Sequence, residues 1–96
     1  MSAERPVLIV DDDDALRETL VDQLAVDGEF TATEAASIQA AEAALSSKDA
    51  RFDAVILDVG LPDGDGRDLC ARLRKQGHRM PIIILTGLDS ENDVVR

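Results

Sequence analysis

Tryptophan and tyrosine are absent from the sequence and phenylalanine occurs only twice, so no aromatic platform for stacking nucleic-acid bases is available. A single cysteine excludes an internal disulfide, and with a single histidine it excludes a zinc site of the usual Cys/His spacing. No apolar run approaches the roughly 20 residues needed to cross a bilayer. The opening residues, Met1 to Pro6, lack the basic segment and long apolar stretch of a secretory signal. Together these absences lead to the expectation of a cytoplasmic chain with no membrane partner. Basic residues are the minority, 10 Lys and Arg against 20 Asp and Glu. The resulting net charge of -10 disfavours direct nucleic-acid binding by this segment and favours cations or a basic partner surface.

What is present suits one small globular domain: 96 residues, 45% hydrophobic and 31% charged. Four apolar or alternating stretches read as strands. Val7 to Val10 and Ala54 to Leu57 are short, wholly apolar runs that each stop at a carboxylate, as parallel strands buried on both faces do. Phe30 to Thr33 alternates and is more polar, as an edge strand would be. Pro81 introduces Ile82 to Leu85, which ends at Thr86. Between them lie helical patterns. Leu16, Leu20 and Leu24 share one face, with one of the later aspartates of Asp11 to Asp14 as cap and Gly28 as stop. Ser37 caps a second helix with Ile38, Ala41 and Leu45 inward. A third starts near Asp65 and Gly66, turns Leu69 and Leu73 inward, and carries Arg72, Arg74 and Lys75 toward its negative end before Gly77. Ser90 with Asp93 reads as the start of a further capped helix. The alternation βαβαβαβ(α) predicts a doubly wound α/β sheet with helices on both faces.

Three of these strands end in polar groups: Asp11 and Asp12, Asp58, and Thr86. Parallel pairing places them on one edge, with neighbouring strands about 4.8 Å apart. Carboxylates converging there require protons or a cation. An all-oxygen donor set suits a hard ion, Mg2+ before Mn2+. A carboxylate beside such an ion can attack a phosphoryl group and become an aspartyl phosphate, and the Thr86 hydroxyl is placed to donate to a phosphoryl oxygen.

VLIVDDDD, VILDVGLPDGDG and PIIILTG, in this order, resemble the receiver domain of two-component response regulators over essentially the whole chain. Their spacing fits too, with 47 residues from Asp11 to Asp58 and 28 from Asp58 to Thr86 (58 − 11 and 86 − 58). The resemblance implies a flavodoxin-like sheet of order 2-1-3-4. It assigns Asp11 and Asp12 to the acidic pair, Asp58 to the phosphoacceptor, and Gly60 to the position whose backbone carbonyl completes the metal site. Thr86 becomes the switch hydroxyl and Gly87 the small residue beside the phosphoryl group. Leu61, Pro62 and Gly66 match the family's loop. The resemblance further implies a histidine kinase, a phosphotransfer protein or a small phosphodonor as the phosphoryl source. A DNA-binding output domain beyond residue 96, and hence transcription regulation, would be in keeping with the family.

A complete receiver carries a fifth strand with a lysine that reaches the phosphoryl group, then a last helix. Neither is found in residues 1–96, and Lys48 and Lys75 do not match the lysine by position. The reading is therefore a receiver domain incomplete at its C-terminus, with the fourth strand an open edge through which the chain would self-associate. It is a phosphoacceptor module, not a multiple-turnover enzyme. Two alternatives stand beside it. One is a pseudo-receiver or truncated receiver acting through protein contacts without phosphorylation. The other is a phosphatase of the haloacid-dehalogenase kind, which would want an acid where this chain has Gly60. Asp63 to Gly66 is read as a turn and helix cap, Cys70 as a core or semi-buried thiol, and His78 as a solvated loop residue.

Overall fold

A computed structural model of the chain describes residues 5–26, 28–47 and 51–85, and the backbone of 92–95. Strand β1 (Arg5–Val10) leads into helix α1 (Asp14–Ala25), followed by β2 (Phe30–Ala35), α2 (Ile38–Ser46) and β3 (Ala54–Asp58). A two-residue pair, β4 (Gly60–Leu61) and β5 (Gly64–Asp65), forms a small antiparallel ladder before α3 (Gly66–Lys75), β6 (Ile82–Leu85) and β7 (Asn92–Val95). The main sheet has the order β2-β1-β3-β6-β7. Its first four strands run parallel in the anticipated 2-1-3-4 arrangement, β6 being the fourth. Among the described residues no helix is long and apolar enough to cross a membrane.

The helices form where sequence supplies both cap and face. Asp13 caps α1 by accepting from the Leu16 N–H at 3.1 Å, and Gly28, at φ 70°, takes the left-handed position beyond its end. Ser37 caps α2 through the Ala40 N–H, and Asp65 caps α3 through the Arg67 N–H. Ile38 and Ala41 of α2, with Leu69, Cys70 and Leu73 of α3, pack on one sheet face against Leu8, Val10, Val55, Leu57, Ile82 and Ile84. That is the principal core.

The opposite face differs from expectation. β1 is buried on both faces as expected, Val7 to Val10 all being closed off, but β3 and β6 are not, since Ile56 and Ile83 are half-buried while Val55, Leu57 and Ile82 are closed off. Helix α1, which packs on β1 and β2, buries no residue completely; Leu16 is 41% exposed, and Leu20 and Leu24 are half-buried.

The expected helix start near Ser90 is also corrected. Asn92–Val95 is a strand, antiparallel to β6, with Ile82 opposite Val95 and Leu85 opposite Asn92. The β-branched pair Val94 and Val95 favours extended backbone. Pairing also satisfies the N–H and C=O groups of β6, whereas a single helical turn fixes several residues for few hydrogen bonds. β6 is thus not the open edge on which self-association was expected to depend.

Two features hold the loop after β3 in place. Gly66 opens α3 so close to β3 that an added Cβ would lie 2.2 Å from the carbonyl oxygen of Asp58, while its own N–H donates to the Val59 carbonyl at 2.8 Å. The Asp63 carboxylate reaches across to α2 and accepts from the N–H groups of Ile38 (2.8 Å) and Gln39 (2.9 Å), two donors that helix geometry leaves unpaired. These bonds hold its pKa below the usual carboxylate value.

Gly66→Ala should destabilise the domain by about 1–3 kcal/mol, as overpacking against a fixed backbone does. A thermal melt would register this as a fall of about 4–8 °C per kcal/mol. A pKa depressed on folding gives stability that is fully present above the ordinary carboxylate pKa and lost as pH falls through the folded value. The margin of the parent chain over Asp63→Asn, measured by urea unfolding across a pH series, should accordingly be constant near neutrality and shrink below about pH 4.

Candidate metal and phosphoacceptor site

The register of the parallel strands builds the site. Val10 pairs with Leu57 and Asp58 with Leu85, so the chain leaves β1 at Asp11 directly beside the last residue of β3. Carboxylate oxygens of Asp11, Asp12 and Asp58 all lie within 4.8 Å of one another. Asp11 is buried (3% exposed), Asp58 half-buried and Asp12 exposed, so the cluster opens to solvent on the Asp12 side. Asp13 spends one oxygen on the cap of α1 and lies outside the cluster.

The loop from Asp11 to Asp14 is held by its own hydrogen bonds. Asp11 donates its N–H to the Ala35 carbonyl, extending the β1–β2 ladder, and its carboxylate accepts from the Asp13 N–H at 2.8 Å. Burial pushes the Asp11 carboxyl above its ordinary pKa, and the charges of Asp12 and Asp13 act in the same direction. The Asp13 N–H and the Arg17 guanidinium partly offset this. Burial likewise raises Asp58, followed by the charge of Asp11, against hydrogen bonds from the backbone of Gly60 and Val59. Two ionised carboxylates at this separation repel by about 3–4 kcal/mol at an effective dielectric constant near 20. Such a set stores strain that a hard cation relieves, and its all-oxygen chemistry is that of Mg2+ or Mn2+.

Gly60 lies two residues past Asp58, in β4, on the loop that Gly66 and Asp63 hold down. Thr86 and Gly87 lie outside the described residues; Leu85, which precedes Thr86, pairs with Asp58. Lys75 ends α3, whose first residue is the one against Asp58, so ten residues of helix carry it away from the cluster. Arg72, Arg74 and Lys75 share that last turn, and Arg5, Arg51 and Arg79 stand at or just before the starts of β1, β3 and β6. Cys70 is buried in the core and His78 is half-buried, not the fully solvated residue expected; among the described residues neither belongs to a cluster of metal-ligating side chains.

Sequence reading missed Arg17 and the long reach of Asp63. An Asp14–Arg17 pair at i,i+3 was open to detection on the α1 pattern. The reach of Arg17 to Glu34, and of Asp63 to α2, spans 17 and 24–25 residues and leaves no local signal.

The family model of the response regulator receiver domain matches residues 7–96. The transcriptional regulatory protein PmrA of Pectobacterium parmentieri is 40% identical over 89 residues, which are 93% of this chain and 39% of that protein. The response regulator MprA of Mycobacterium ulcerans is 38% identical over 89 residues, 93% of this chain and 37% of its own length. The chain therefore spans under two-fifths of these relatives. Among solved structures, the response regulator TrrA of Thermotoga maritima, in complex with Mg(2+)-BeF, superposes with a TM-score of 0.79 at 29% identity, covering 88% of this chain and 71% of that one. The chain belongs to the response regulator receiver domain family, the receiving modules of two-component phosphorelay signalling.

Proposed function

We propose that this domain accepts a phosphoryl group on Asp58 from a histidine kinase or phosphotransfer protein, and thereby switches an output surface or effector domain. The observation that carries this reading is the convergence of Asp11, Asp12 and Asp58 at adjacent parallel strand ends. Asp11, Asp12 and Asp58, with the Gly60 backbone carbonyl, would hold Mg2+ or Mn2+. When bound, the ion offsets negative charge on the transferring oxygens.

The chain's own residues account for the rest. Asp58 presents a carboxylate whose backbone donors, Gly60 and Val59, orient it without supplying a full countercharge. An Oδ of Asp58 forms the new bond to phosphorus as the phosphorus–nitrogen bond of a phosphohistidine breaks, and the departing imidazole takes up a proton. Asp11, buried and fixed at the strand end, would be a cation ligand already in place before transfer. The Thr86 hydroxyl would report the new phosphoryl group to the region after β6. In this reading the domain is a phosphoacceptor that turns over only its own phosphate, not an enzyme acting on a separate substrate. TrrA, a relative in fold, is known with Mg(2+)-BeF, which supports the same chemistry here.

Mg2+ should stabilise the chain. At ten times its dissociation constant the gain is about 1.4 kcal/mol, or roughly 5–10 °C in a domain of this size. Asp11→Asn should lose most of that shift in differential scanning fluorimetry. A chain whose melting temperature ignores millimolar Mg2+ would contradict the metal site. Asp58→Asn should abolish labelling by a small phosphodonor, read by intact mass, and in EDTA should melt above the parent because one repelling carboxylate is gone. Undiminished labelling would remove Asp58 from the role.

A further inference from the structure

The Arg17 guanidinium sits 13% exposed at the junction of three elements, and each of its three nitrogens has a different acceptor. Nε donates to the Glu34 carboxylate of β2 at 2.9 Å, one terminal nitrogen to the Asp14 carboxylate of α1, and the other to the backbone carbonyl of Asp11. That carbonyl belongs to the peptide joining Asp11 to Asp12, two members of the acidic cluster. The other bonds around this peptide act on different atoms: the Asp11 N–H is taken by Ala35, and the Asp11 carboxylate by the Asp13 N–H. Arg17 is the group that acts on the plane of the peptide itself.

We propose that Arg17 is a positioning residue for the cation site, setting the Asp11–Asp12 peptide plane so that both carboxylates face Asp58. Arg17 touches no ligand atom of the cluster. A cation beside a divalent-ion site would ordinarily weaken it by repulsion, but Glu34 and Asp14 pair with this one and reduce the charge that reaches the cluster. A planar fork with fixed donor directions performs this task, whereas the donors of a lysine radiate from one nitrogen and do not reach acceptors spaced around three guanidinium nitrogens. The inference rests on the metal site proposed for Asp11, Asp12 and Asp58.

The test is a titration of the 15N-labelled chain with MgCl2 followed by NMR, on the parent, Arg17→Gln, Arg17→Lys and Glu34→Gln. Replacing a supporting group of this kind commonly weakens metal affinity by about tenfold or more. Arg17→Gln should therefore raise the Mg2+ dissociation constant by about tenfold. Its metal-free spectrum should show the Asp12 amide displaced while the amides of β6 stay in place. Arg17→Lys, with charge retained and the fork removed, should fail to restore the parent affinity. An unchanged or tighter dissociation constant in Arg17→Gln overturns the inference, as does full rescue by lysine, which would make the effect one of charge alone. If Arg17→Gln does not fold, Glu34→Gln decides: it should weaken Mg2+ binding by a smaller factor, and an unchanged constant overturns the inference. A parent chain without saturable Mg2+ shifts overturns the metal reading and this inference with it, whereas normal parent binding matched by Arg17→Gln removes only the role of Arg17.

Discussion

The pairing of Val10 with Leu57 dictates the layout of the carboxyl edge of the sheet. Once β1 and β3 run parallel in that register, Asp11 and Asp58 must leave the sheet side by side, and no side-chain rearrangement can take them far apart. The fold accepts like-charge repulsion at this edge and compensates with backbone donors, a paired guanidinium and an opening toward solvent at Asp12. Stability and chemistry oppose one another here. The apolar strands that anchor the core are the same strands that deliver the acids to one place.

The loop beyond Asp58 illustrates how such a site is kept in register. Gly66 brings the start of α3 against the Asp58 carbonyl, the Val59 carbonyl accepts from Gly66, and Asp63 ties the turn to α2. The segment that contains Gly60 is thus held by two helices on its way from β3 to α3. Arg17 does the equivalent for the Asp11–Asp12 side from α1 and β2.

Much of this was legible in the residues. The two apolar quartets stopping at carboxylates, the caps Ser37 and Asp65 and the glycines after α1 and α3 are local signals with local causes, and the strands and helices they imply are where they belong. Strand order and the meeting of Asp11, Asp12 and Asp58 came from the alternation of elements together with family likeness. Three things were not legible. The half-burial of Ile56 and Ile83 depends on what covers that face of β3 and β6, which periodicity does not encode. The strand at Asn92–Val95 formed because β6 offered an edge, a tertiary reward that outweighs a capping pattern. The reach of Arg17 and Asp63 belongs to pairs distant in sequence, for which no spacing rule exists.

A parallel sheet has two unlike ends, and this chain distributes its charge between them. Among the described residues Asp11, Asp12, Asp14, Glu34, Asp58, Asp63 and Asp65 lie at or just after strand ends, with Arg17 among them, whereas Arg5, Arg51 and Arg79 lie at or just before strand starts beside Glu29 and Asp53, and Arg72, Arg74 and Lys75 close α3. The charge of the described residues is consequently uneven, most negative at the Asp58 edge. In the field of a positively charged surface such a distribution would feel a torque turning the Asp58 edge forward before contact, a bias that originates in the same strand polarity that assembles the site.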